Sequence, residues 1–124
     1  MIPKHLPTNW IHRLIGVLDI PNKPETVKLF TAWARAEGGM AQFNPLNTTL
    51  SLNKCWNYNS VGVKNFAHGT DGICATALTL KNGYYPGIMN DLKTGEYTAK
   101  SIVTRNAKEF DTWGTGSKNI LGVL

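Results

Sequence analysis

The chain has 124 residues, 42% of them hydrophobic and 17% charged, enough for one soluble domain that needs no metal or disulfide staple. Thirteen Lys and Arg against eight acidic residues give a net charge of +5, a field that favours anionic polymers, but the cations are scattered. The basic run of a nucleic-acid arm is therefore missing, and no stretch approaches the ~18 apolar residues of a membrane span.

Residues 1–9 carry two prolines and read as an extended lead-in, without the apolar core of a secretion signal. From Trp10 the pattern becomes helical, with Ile11, Leu14, Ile15 and Leu18 on one face until Pro21. A second helix is signposted by Asn22, Pro24 and Glu25, the spacing of a capping box with proline in the first turn. Val27, Phe30, Trp33 and Ala34 form its apolar stripe, and Gly38-Gly39 ends it.

Residues 40–69 are rich in Asn, Thr, Ser and Gly, with short extended runs at Thr48 to Leu52 and Val61 to Phe66. They predict a long loop with a small, ragged hairpin, ordered by Phe43, Leu46, Trp56, Tyr58 and Phe66. A helix is predicted over Thr70 to Leu80, with Ile73, Ala77 and Leu80 on one buried face and Cys74 and Leu78 on another; Gly83 caps it. Short helices are predicted around Ile88 to Leu92 and from Tyr97 to Arg105. Asn106 and Glu109 then suggest a further capping box before Phe110 and Trp113. No repeat or linker appears, so residues 1–124 read as one mainly helical domain. Cys55 and Cys74 are expected as reduced thiols, one bridge staying open outside the cytoplasm. With three scattered His they offer no metal-ligand spacing, and neither metal nor cofactor is expected.

The residue that stands out is Glu37. On a wheel of ~100° per residue it falls in the middle of the arc formed by Val27, Phe30, Trp33 and Ala34, opposite Lys28, Thr31 and Arg35. A carboxylate there meets the negative end of the helix dipole and loses solvent, so its proton is held more tightly. A general acid for glycoside cleavage needs that property. The alternative is a Glu that reaches solvent or pairs with a nearby Lys.

The segment Ala36-Glu37-Gly38-Gly39 with Asn44-Pro45 resembles the helix-end motif of the lysozyme-like superfamily, where a catalytic Glu closes a helix before a Gly or Ser and an Asn-Pro turn. Tyr58-Asn59-Ser60-Val61-Gly62-Val63-Lys64-Asn65-Phe66 is similar to the cleft-wall segment of bacterial glucosaminidases and soluble transglycosylases. Together with Asn82-Gly83-Tyr84-Tyr85 and Trp113-Gly114-Thr115-Gly116, these motifs resemble lysozyme-like domains of bacteriophages and actinobacterial prophages. The likeness covers roughly residues 25–116 and rests on the order of the motifs rather than on any one of them.

The resemblance implies an α+β lysozyme-like fold whose irregular β/loop region forms one wall of a cleft. It implies hydrolysis of the β-1,4 bonds between N-acetylmuramic acid and N-acetylglucosamine, with Glu37 as the acid. Val61, Gly62 and Val63 match a backbone strip that binds the N-acetyl group, Gly62 allowing close approach or merely serving a turn. Tyr58 matches a cleft aromatic, with packing as its alternative. Asn44 and Asn47 could bond sugar hydroxyls or brace the loop.

The chain departs from the two-carboxylate pattern: no Asp or Glu lies between Glu37 and Asp71, and Asp71 reads better as an N-cap than as a base. That favours relatives with one Glu, such as goose-type lysozymes and lytic transglycosylases, where a C6 hydroxyl or N-acetyl group of the substrate assists. It also keeps open a non-catalytic wall-binding module. The expected partner is the peptidoglycan glycan strand, met by a monomer after phage-mediated release or from a virion. Nucleic acid and membrane insertion are not expected.

Overall fold

The computed structural model describes residues 8–124, and the expected lead-in falls outside it for residues 1–7. The first helix, α1 (Thr8–Leu18), buries Ile11, Leu14, Ile15 and Leu18 as the periodicity predicts, with Trp10 beside them. After Pro21 the chain enters α2 (Pro24–Glu37), which is enclosed on more sides than its apolar stripe suggests. Thr26, Leu29 and Ala32 are buried along with Phe30, Trp33 and Ala34, while Lys28 and Arg35 stay exposed.

The cause is its position. Helix α2 packs against α1, against α5 (Ala99–Arg105) and against α7 (Ser117–Leu121), a short helix that local patterning does not announce. Between α2 and α5 lie a hairpin of β1 (Cys55–Asn57) and β2 (Lys64–Phe66), then α3 (Gly69–Leu80) and α4 (Pro86–Thr94). Helix α6 (Ala107–Trp113) leads into α7. The architecture is mainly helical with one antiparallel two-stranded sheet, Cys55 opposite Phe66 and Asn57 opposite Lys64.

Two expected capping boxes do not form. The residue before α2 is Lys23, which makes no side-chain cap; Asn22 pairs instead with His12 at 3.2 Å. Glu25 accepts the backbone N–H of Ala99 at 2.9 Å, so it serves the first turn of α5. Likewise Glu109 reaches back to α4, accepting the N–H groups of Gly87 and Ile88, both at 2.9 Å. A carboxylate satisfies orphan N–H donors at any helix N-terminus within reach, and here the neighbouring helix wins over its own. The capping box that does exist is Thr98 with Ser101 at the start of α5.

Helix α3 begins at Gly69, so Asp71 is in its first turn and not at the cap; its carboxylate accepts from Asn53 Nδ2 at 2.8 Å. Ile73, Ala77 and Leu80 are buried as expected, but Leu78 is exposed and Cys74 only half-buried. The cap residue at its end is Lys81, with Gly83 in the turn beyond. Thr48 to Leu52 forms no strand, and of Val61 to Phe66 only Lys64–Phe66 pairs. Cys55 and Cys74 stand as free thiols. One cluster of buried side chains runs through α1, α2 and α3 to α7. At its centre Trp33 stacks on Phe30 and meets Phe110 and Trp113 edge-on.

Candidate functional site

Glu37 is the last residue of α2, and the turn after it shapes its surroundings. Gly38 takes the left-handed conformation (φ 58°) that ends the helix, its N–H returning to Ala34 and Arg35. Gly39 then lies against the next turn so closely that a Cβ would come within 2.4 Å of the Pro45 carbonyl oxygen. This contact folds Asn44-Pro45-Leu46-Asn47 back beneath the helix end. Asn47 closes the turn with its N–H on the Asn44 carbonyl and adopts φ 61°, a conformation Asn tolerates better than most residues.

From the far end of the chain come Trp113 and Thr115. The indole N–H of Trp113 is shared between the Leu46 carbonyl at 2.7 Å and Glu37 Oε2 at 3.2 Å. Its ring is fixed by Trp33, 5.0 Å away edge-on, and by Tyr85 at 5.3 Å. Thr115 is buried, and its hydroxyl oxygen accepts the Trp33 indole N–H at 2.8 Å. That leaves the hydroxyl hydrogen free to be given to Glu37.

Burial pushes the Glu37 carboxyl above its ordinary 4.5, because a desolvated carboxylate loses its hydration. Hydrogen bonding from Thr115, Asn47 and Trp113 works the other way and limits the rise. Among the described residues no neighbouring charge, of either sign, contributes to the balance. The group therefore keeps its proton beyond the usual range, yet three donors wait for the charge when the proton leaves. A pocket of this kind can give a proton to a leaving oxygen and take one back.

The other residues singled out by sequence part company. Asn47 is at Glu37. Asn44 is fully enclosed: its Nδ2 donates to the Thr48 and Lys64 carbonyls at 2.9 and 2.7 Å, and its Oδ1 accepts the Thr48 N–H at 2.9 Å. Both amide hydrogens are used, so Asn44 is the brace that ties the hairpin to the Glu37 loop, and the expected sugar contact is corrected. Tyr58 and Val61 are 47% and 74% exposed on the hairpin and its turn. Gly62 has φ 91° with its N–H on the Asn59 carbonyl, and an added Cβ there would meet little, so the turn geometry explains the glycine.

Val63 departs from the expected ligand-binding strip. Its side chain is buried, its N–H goes to Asn59 Oδ1 at 3.0 Å and its carbonyl accepts the Tyr58 N–H at 2.7 Å. Its backbone is thereby consumed inside the hairpin, leaving the exposed strip to Val61. Trp56, read as a source of order, is 50% exposed and shares a face of the hairpin with Tyr58.

Sequence reasoning placed Glu37 but missed what holds it. Trp113 and Thr115 stood in a noted motif, yet nothing local says that a residue 76 positions later touches Glu37. The loop does wall a concavity of about 270 Å³, formed by Thr49, Leu50 and Ser51 against Leu78, Thr79 and Asn82 at the end of α3. That hollow begins two residues beyond Asn47, and Glu37 itself does not line it. Among the described residues no three of His, Cys, Asp or Glu gather as metal ligands, and no helix is long and apolar enough to cross a membrane. Comparison with protein-family profiles, characterised proteins and solved structures finds no match for this chain.

Proposed function

We propose that this chain is a peptidoglycan hydrolase of lysozyme-like fold that cleaves the β-1,4 bonds of glycan strands, with Glu37 as the single general acid. The observation that carries the reading is the Glu37 carboxyl, closing α2, held above its ordinary range by burial and faced by three hydrogen-bond donors. Protonated Glu37 gives its proton to the glycosidic oxygen as the C1–O bond breaks. The carboxylate that remains is received by Thr115, Asn47 and Trp113. It then takes a proton from whichever hydroxyl attacks C1, a water or the substrate's own C6 hydroxyl, which restores the acid. Because no second carboxylate acts on Glu37, the positive charge developing at C1 is met by groups of the substrate, as in one-Glu relatives.

The remaining parts fit the same substrate. Trp56 and Tyr58 offer aromatic faces to sugar rings from the hairpin, Asn47 can orient a hydroxyl beside the acid, and the net charge of +5 draws the chain to an anionic wall. On this reading the protein acts as a monomer without a cofactor, after phage-mediated release or from a virion. Mass spectrometry of fragments released from purified wall tests it. Glycan ends, reducing or 1,6-anhydro, should appear with the parent chain and vanish with Glu37→Gln. Absence of both from the parent digest overturns the proposal.

A second reading, a wall-binding module without turnover, is favoured by one observation, the lack of a partner carboxylate around Glu37. It predicts that the parent chain co-sediments with wall, releases nothing, and is unaffected by Glu37→Gln.

A further inference from the structure

A second hollow, of about 500 Å³, opens where α1 ends and α3 gives way to α4. Its walls are Leu18, Leu80 and Met89, three apolar side chains that are otherwise part of the core. Around them stand one acid and two bases, Asp19, Lys81 and Lys93, all exposed. Among the described residues none of the three is in an ion pair, a state that belongs to Arg105 and Asp91 alone. Tyr85 also lines the hollow, only 6% exposed, and its hydroxyl has no hydrogen-bond partner among the described residues.

The volume is that of a site for a small molecule, and the lining restricts which kind. A neutral sugar would leave the three charges unanswered and set hydroxyls against Leu18, Leu80 and Met89, at a desolvation cost. A phosphate-rich ligand would meet the lysines but be repelled by Asp19. A short peptide carrying carboxylates, a free amine and small apolar side chains answers every group. We infer that this hollow binds such a zwitterionic peptide, its carboxylates on Lys81 and Lys93, its amine on Asp19 and its methyl groups on the apolar wall. Resting on the function proposed above, the occupant is the peptide stem of peptidoglycan, which carries all three features.

The site adjoins the chemistry. The Tyr85 ring that forms its inner wall packs on Trp113, whose indole N–H reaches Glu37. A stem seated there stays beside the strand that Glu37 would cut.

The direct test is titration of the isotopically labelled protein with a synthetic stem tetrapeptide of alanine, γ-linked glutamate and a diamino acid, followed by NMR. Shifts should appear at the Met89 methyl and the Tyr85 ring. The exposed pair Lys81→Ala and Lys93→Ala, combined, should weaken binding about fivefold, the scale of two solvent-exposed charge contacts. No shift at these positions, or equal affinity in the double variant, overturns the inference. Digestion separates it from the parent reading: the double variant should slow on peptide-bearing wall and match the parent chain on glycan strands stripped of peptides. Equal slowing on both counts against the hollow. If the parent chain cuts neither substrate, the glycan-cleaving reading falls, and the peptide titration still decides the hollow by itself.

Discussion

Trp113→Phe isolates the clamp on Glu37. Phenylalanine keeps an aromatic ring between Trp33 and Tyr85 but removes the N–H shared by the Leu46 carbonyl and Glu37 Oε2. Leu46 is buried, so its carbonyl loses the partner it holds at 2.7 Å, a loss of about 1–3 kcal/mol. The smaller ring leaves space worth about 1 kcal/mol more. Urea unfolding at neutral pH should therefore show about 2–4 kcal/mol of lost stability.

The sign on Glu37 is equally definite. Removing a donor to the ionised form takes away one of the influences that lower its pKa, so the carboxyl rises further above 4.5. The alkaline limb of the pH–rate profile should move up, by less than about one unit, since a shared bond at 3.2 Å is worth less than about 1.4 kcal/mol. The folded protein binds its proton more tightly than the unfolded chain does. Stability linked to Glu37 is thus complete below 4.5 and falls as pH rises through the higher folded pKa. In the variant that fall extends to higher pH, and its deficit should widen between acid and alkaline solution. A loss below about 0.5 kcal/mol, the scale of an ordinary surface change, or a limb that moves down, refutes the clamp.

Other substitutions separate scaffold from surface. Asn44→Ala leaves two main-chain groups, the Lys64 carbonyl and the Thr48 N–H, without partners in an enclosed place and should cost about 2 kcal/mol or more in chemical unfolding. Gly39→Ala drives a Cβ against the Pro45 carbonyl and should cost about 1–3 kcal/mol, with cell-wall clearing reduced because the Asn47 turn is displaced. Tyr58→Ala should change stability by no more than about 0.5 kcal/mol while weakening sedimentation with purified wall, since the ring is half exposed on the hairpin.

Helices with a one-sided apolar period were readable because burial imposes that period, as Ile11, Leu14, Ile15 and Leu18 show. The partners of carboxylates were not readable where the fold brings them in from elsewhere in the chain. Glu25 and Glu109 have the spacing of capping boxes, but the N–H groups they satisfy belong to helices brought near by the fold. Glu37 was conspicuous because an acid on an apolar arc breaks the pattern of its own helix. Trp113 and Thr115 break no pattern where they stand, and Asn44 looks alike whether it faces a sugar or the main chain. Residue type and spacing state what a side chain can bond; long-range packing selects the partner.

The catalysis proposed for this chain requires a carboxyl group that folding keeps protonated, and NMR can track that group alone. Titration of the Glu37 side-chain carboxyl carbon, assigned by its loss in Glu37→Gln, should give a midpoint above 4.5. A midpoint at or below that value would contradict the proposed role, leaving α2 without an acid to offer near neutral pH.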